Sequence, residues 1–350
     1  EEYKDIVSQL KQLGLRVQTD IITGLPGETK ETHLQTIKDL IYMGFDQISA
    51  FTLMLLNGTE LNMKESLEKN NWYKRYRIVP RNFGKYRGQI CFEIETVGVG
   101  SNTFTFEDYL FLRGFHGALA MIFNSILFVE FTNYLKQNNI DLFDFTLSFY
   151  EGLRKEPGPV GDQFRSFLKE VSGELWKSEE EVADYVTKEE NYQKLLSGEI
   201  GDNLLDKYKI MSVAEKFSSW CEYFFDQSFR QLESNGHNRN ELQTELSDIK
   251  SHILAKSNNI FSMQNANGEP YSVKLLHNVS QWKRDNYIHP LSHYKYEKPT
   301  EVKYVINEEN KRLVKEMLTL YSENKSNLWK VASSRYYLPA IFREEIILAK

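Results

Sequence analysis

Residues 17–29 read VQTDIITGLPGET. The first seven are rich in β-branched side chains, which pack well on a pleated surface, so they predict a strand. Gly24-Leu25-Pro26-Gly27 then forces a tight turn. Thr29 can cap a helix whose apolar stripe is Leu34, Ile37, Leu40 and Ile41. Upstream, Ile6, Val7, Leu10 and Leu13 recur at helical spacing, and Gly14 stands where a helix ends. Downstream, Gly44 ends the second helix, and QISAFTLML, residues 47–55, predicts a second strand. Leu13-Gly14-Leu15 and Met43-Gly44-Phe45 are equivalent points, 30 residues apart. Helix, glycine and strand repeated at that period predict parallel α/β units.

Two parallel strands cannot close a sheet or bury both faces. Residues 1–61 are therefore expected to be the last two βα units of a larger sheet, with the earlier strands upstream of Glu1. The chain would then be a C-terminal fragment.

Composition bounds the rest. With 350 residues, roughly two domains are expected at about 150 residues each. The apolar share is 41% and the charged share 26%, which excludes disordered and collagen-like chains. The net charge of −6 excludes a globally basic nucleic-acid binder, though not a local basic patch. Only Cys91 and Cys221 are present, which excludes a disulfide-stapled fold and any cluster held by three or four cysteines of this chain. The apolar run 115–131, FHGALAMIFNSILFVEF, is interrupted by His116, Asn124, Ser125 and Glu130. It predicts a buried core helix and no membrane span. A cytoplasmic location is expected, because no basic-then-apolar leader follows Glu1.

Four regions follow along the chain: 1–61, the βα units; 62–104, a basic and aromatic connecting segment with a strand at 89–99; 105–261, a helical domain; and 262–350, a small mixed α+β part. Thr105 with Asp108 forms a capping box at the start of the helical domain. Helix breaks are expected at Asn138-Asn139, Pro157-Gly158-Pro159, Gly198 to Gly201 and Asn235-Gly236. Residues 262–270 read as a turn-rich linker and 301–306 as a strand. Asn307 caps a helix to Tyr321, and a last helix is broken by Pro339. The fold class is α/β plus α: the end of a parallel (β/α) barrel followed by a mostly helical domain.

The turn at Gly24–Gly27 is the sharpest chemical signal. Ligands bind at the carboxyl ends of parallel strands, and glycines let backbone groups meet a planar base without a side chain between. No Gly-Lys-Ser/Thr follows, so it is not a phosphate loop. The same residues also suit a plain βα turn. Residues 74–87 hold six Lys or Arg interleaved with Tyr76, Phe83 and Tyr86. That run suits a solvated hairpin paired with Glu93 and Glu95, an anionic small molecule, or single-stranded nucleic acid. Glu93 and Glu95 share a strand face and could act as acid and base, or simply face water. Asp108, Arg113 and His116 share a helix, where a substrate contact and a capped helix start are both open. His289 and His293 lack a third ligand, so no metal site is assigned. No catalytic residue can be named.

The run TDIITGLPGET, the amphipathic helix, and the strand leading to Leu56-Asn57-Gly58-Thr59-Glu60-Leu61 resemble the fifth and sixth strands of the radical S-adenosylmethionine (SAM) barrel. The resemblance implies that Ile22, Gly24, Pro26, Gly27 and Glu28 meet the adenine and ribose of SAM, with Phe51 and Leu53 on the next strand. Residues 77–86, 93–100 and 106–110 resemble the segment after the barrel in the cobalamin-binding branch. The superfamily's Cys-x3-Cys-x2-Cys loop for a [4Fe–4S] cluster is absent here. The resemblance therefore implies SAM, a [4Fe–4S] cluster and cobalamin in an intact parent, with radical chemistry or methyl transfer, and none bound stoichiometrically by this chain alone. The implied partners are a missing N-terminal part of the same polypeptide and a small-molecule substrate, with neither nucleic acid nor membrane expected. The competing reading is a non-catalytic helical interaction module that keeps a degenerate barrel remnant.

Overall fold

The computed structural model describes residues 2–321 and 341–346. In chain order the elements begin α1 (Glu2–Gln12), β1 (Gln18–Thr23), α2 (Lys30–Met43), β2 (Gln47–Thr52), α3 (Lys64–Asn70), β3 (Tyr73–Tyr86) and β4 (Gln89–Gly100). Helices α4 (Phe106–Ile122), α5 (Val129–Gln137), α6 (Leu142–Lys155), α7 (Pro159–Gly173), α8 (Glu179–Val186) and α9 (Glu189–Ser197) follow. Next come α10 (Leu204–Glu215), α11 (Phe217–Ser234), α12 (Arg239–Ser257) and α13 (Met263–Ala266). The chain continues through β5 (Tyr271–His277), α14 (Val279–Arg284), β6 (Lys295–Val305), α15 (Glu308–Tyr321) and β7 (Glu344–Ile346). The fold is mixed α/β with small sheets. It divides into two compact units, one of residues 1–120 with 164–205, the other of residues 121–163 with 206–350.

In the first unit, β1 and β2 pair in parallel from Gln18 opposite Gln47 to Thr23 opposite Thr52, as the sequence predicts. Helix α2 makes the crossover. Thr29 starts it with a capping box shared with Thr32, and Gly44 ends it at φ 93°. The second strand is shorter than expected. Beyond Thr52 the chain turns to β4, where Gly98 N–H donates to the Leu53 carbonyl (3.0 Å) and Leu55 N–H to that of Thr96 (2.9 Å). Leu53, Leu55 and Trp72 close an apolar cluster there. A Cβ on Gly98 would lie 3.2 Å from Leu53 Cδ2, so a side chain there would push Leu53 by a few tenths of an ångström.

Strands β3 and β4 form a long antiparallel hairpin. Arg87 and Gly88, at φ 50° and 83°, make its turn. Only the β4 half was legible as a strand. In β3 the charges at Lys74, Arg75, Arg77 and Arg81 mask the alternation, and the register slips between Ile78 and Phe83, around Pro80. Ile78, Val182, Val186, Tyr192 and Leu195 form one core of this unit. Val97, Val99, Phe104, Tyr109, Leu112 and Leu175 form another.

The apolar run 115–131 is two helices rather than one. Helix α4 stops at Ile122 and α5 starts at Val129, while the Ser125 hydroxyl accepts the Leu127 N–H (3.1 Å) between them. No helix among the described residues is long and apolar enough to cross a membrane.

The second unit centres on Phe224 of α11. Its ring lies 4.8 Å from Phe128, 5.1 Å from Phe131 and 5.2 Å from Phe149, centroid to centroid. Strands β5, β6 and β7 form an antiparallel sheet, with Ala255 of α12 packed against Leu275, Val302 and Tyr304. Residues 262–270 are not wholly turn, because Ser262 caps the short α13. Asn307 accepts the Asn310 N–H (2.8 Å) at the start of α15, as expected. The helix break at Pro339 lies outside the described residues.

Candidate functional site

The loop between β1 and α2 sits at the carboxyl ends of both parallel strands. Gly24 and Gly27 adopt φ 89° and 80°, the left-handed region that glycine enters without strain. No atom lies within 4 Å of a Cβ placed on Gly27, so its backbone is open. Ile22 and Phe51 are register partners, 44% and 52% exposed, with Leu25 exposed beside them. Ile22, Leu25 and Phe51 thus offer exposed apolar side chains, and Gly27 an open backbone, in this region of the first unit. Leu53 departs from the group. It is 3% exposed and packed with Leu55 and Trp72. Pro26 is exposed on the loop.

Glu28 ties the loop together. Its Oε2 accepts the Gly24 N–H at 2.6 Å, and its carbonyl accepts the Thr103 hydroxyl at 2.8 Å. Its Oε1 lies 2.9 Å from His33 Nδ1, and His33 Nε2 lies 3.0 Å from His116 Nε2. His33 and His116 are 1% and 2% exposed. Burial, together with the neighbouring His33 and Arg113, holds the His116 imidazole well below its usual range. His116 Nδ1, Arg113 Nε and the Tyr109 hydroxyl are buried without a hydrogen-bond partner. His33 escaped the sequence reading. A lone histidine one residue before the apolar stripe of α2 looks like core, and only its spacing of five from Glu28 hinted otherwise.

The charged seam continues into the hairpin. Arg77 pairs with Glu95, and its guanidinium also reaches Glu174 (3.3 Å). Burial raises the Glu174 carboxyl above its usual range against the pull of Arg77 and Arg113. Arg77 and Glu174 also line a cleft of about 550 Å³ with Lys169, Trp176, Tyr185 and Ile200. Two further hairpin cations meet acids: Arg81 with Asp202 (3.0 Å) and Lys85 with Glu189 (3.0 Å). Glu93 accepts from Asn82. Arg75 stacks on Tyr73, 4.2 Å from the ring centre. Of the two acids expected to pair with residues 74–87, Glu95 takes Arg77 and Glu93 takes Asn82, while Arg81 and Lys85 find Asp202 and Glu189 instead.

Asp108 caps α4, accepting the Thr105 N–H and hydroxyl, and meets Lys30 at 3.4 Å. His289 and His293 stack at 4.6 Å between centroids. Among the described residues no group of three or more His, Cys, Asp or Glu could hold a metal ion. Cys91 is exposed and Cys221 buried. Two cysteines, one of them buried, do not fit a [4Fe–4S] cluster, for which the resembled loop supplies three thiolates. The exposed backbone at Pro26 and Gly27 and the Ile22–Phe51 pair fit a planar apolar ring, whereas Gly24 is buried with its N–H held by Glu28.

No family model matches the chain. Over 60 residues it is 40% identical to the tRNA-2-methylthio-N(6)-dimethylallyladenosine synthase of Shewanella baltica (strain OS155 / ATCC BAA-1091), a stretch of 17% of this chain and 13% of that protein. Over 74 residues it is 38% identical to the synthase of the same name from Sulfurihydrogenibium sp. (strain YO3AOP1), covering 20% of this chain and 17% of that protein. The match thus spans only 13–17% of the length of these curated relatives. This local likeness supports a radical SAM relationship and does not reach the cobalamin-binding branch.

Proposed function

We propose that residues 17–61 are the adenine-facing end of a radical SAM-type barrel, and that the chain contributes this surface and a large helical part to a radical SAM protein. One observation carries the reading: Ile22 and Phe51 are exposed register partners at the carboxyl ends of two parallel strands, beside an open glycine loop. Bound SAM would supply the adenosyl group for radical chemistry. This chain's own residues would seat the base, Ile22 and Phe51 by apolar contact and Gly27 by backbone, with Gly24 holding the loop through Glu28. No cluster-dependent step is assigned to these residues. The cobalamin branch rests on the resemblance of residues 77–110 alone. The tRNA in the relatives' names is not carried over, because Arg77, Arg81 and Lys85 are engaged by acids of the chain.

The test is titration of the 15N-labelled chain with SAM and with adenosine. Amide shifts confined to Ile22, Gly24, Gly27 and Phe51 are expected, and lost in Gly27→Val. If both ligands leave these amides unmoved, the competing reading of a non-catalytic interaction module gains.

A further inference from the structure

We propose that His33 and His116 are positioning residues for the Gly24–Glu28 loop, which they hold through one shared proton; the ligand meaning of the loop rests on the reading above. Two imidazole nitrogens 3.0 Å apart can hydrogen-bond only with one proton between them. An ionised Glu28 can only accept, so the proton on its contact with His33 sits on His33 Nδ1. Neutral His33 then offers a lone pair at Nε2, and His116 must donate from its own Nε2. That leaves His116 Nδ1 bare, and it has no hydrogen-bond partner. A second proton there would place an imidazolium beside the Arg113 charge, on the same helix.

With both rings neutral the assignment runs one way: His116 Nε2–H to His33 Nε2, His33 Nδ1–H to Glu28 Oε1, and Gly24 N–H to Glu28 Oε2. Three elements are tied in sequence, α4 to α2 to the loop. The charged groups facing the chain are Glu28 from the loop, Arg113 from α4, and Glu174, which couples to Arg113. Simple polar packing would accept either tautomer pair. In this pair His33 Nδ1–H fixes Glu28 Oε1, which leaves Oε2 aimed at the Gly24 N–H.

The experiment uses the chain with 15N-labelled histidine. Long-range 1H–15N spectra at about pH 6 to 8 should show His33 as the Nδ1–H form and His116 as the Nε2–H form. His116→Leu should speed hydrogen exchange at the Gly24 amide by about tenfold or more, and His116→Gln, whose amide donates from nearly the same position, should restore protection to within about threefold. Reversed tautomers, an imidazolium at either residue, or equal Gly24 exchange in the Leu and Gln variants would overturn the proposal. If His116→Leu does not fold, the tautomers of the unsubstituted chain and the Gln variant decide. SAM added at millimolar concentration separates the two readings: the expected tautomers with unmoved Ile22, Gly27 and Phe51 amides would end the adenine reading and leave the proton-linked loop standing.

Discussion

Ile22 and Phe51 face each other across the parallel ladder, and both point away from the side that buries Thr23, Ile48 and Thr52. One face of this two-stranded sheet is core and the other is open. The two faces should therefore answer differently to truncation. Ile48→Ala is expected to lower stability by about 3 kcal/mol, since it opens a cavity in packed core. Phe51→Ala, starting half exposed, should lower it by less than about 1 kcal/mol and abolish the SAM-induced shifts. Denaturant unfolding of both variants checks this. Equal losses would mean that the Phe51 face is packed, not presented.

Arg77 is the second test. Its side chain is 16% exposed and lies between Glu95 and Glu174. Removing it leaves two partly buried carboxylates without their cation. Arg77→Met should cost about 3 kcal/mol, the range for breaking a desolvated pair by removing one partner. Arg77→Met combined with Glu174→Gln should recover part of the loss. A single-variant loss below about 1 kcal/mol would instead make this an ordinary solvated pair.

Much of the first unit was legible because local signals agreed there. Thr29, Gly44 and the β-branched runs fixed the βαβ element, and Thr105 with Asp108 fixed the start of α4. The misses have physical causes. Strand β3 was hidden because its charges find partners outside the sequence window: Arg81 finds Asp202, and Lys85 finds Glu189. Within the break between α4 and α5 the Ser125 hydroxyl accepts the Leu127 N–H, a local bond that apolar periodicity does not show. Of the candidate site, the glycine loop was visible. The histidine pair was not, since His33 and His116 stand 83 residues apart and only the fold joins them.

The histidines predict the acid side of stability. Burial first, then the neighbouring His33 and Arg113, depress the His116 pKa below its ordinary 6.5. Burial first, with Lys256 next among the lowering charges, depresses that of His252. In both cases the unfolded chain binds the proton more readily than the folded one. Stability is thus full above about pH 6.5 and falls as the pH drops toward the folded values, by at most about 1.4 kcal/mol per pH unit for each group. His116→Gln should flatten this slope by removing one contribution. Unfolding curves at a series of pH values from about 5 to 7.5 decide it. An unchanged slope in the variant would mean that His116 is not buried neutral.

The last prediction concerns Glu130, at 0% exposure in the second unit. One oxygen, Oε1, receives Lys256 at 2.7 Å and Lys283 at 3.1 Å, with His252 Nε2 at 3.5 Å. Burial opposes its ionisation, but Lys256, His252 and Lys283 outweigh burial and hold the carboxyl well below its usual range. Glu130→Gln therefore strands the buried Lys256 ammonium. The expected cost is about 3–5 kcal/mol near neutral pH. Without the carboxylate, burial dominates at Lys256 and depresses its pKa from the usual 10.5. The folded variant then binds fewer protons than the unfolded one at pH values below that. Its stability should rise with pH toward 10.5, and the gap to the unsubstituted chain should narrow. Adding Lys256→Met to Glu130→Gln should recover stability at neutral pH and remove the alkaline rise. A loss below about 1 kcal/mol, the same at every pH, would mean that water, not Glu130, balances the Lys256 charge.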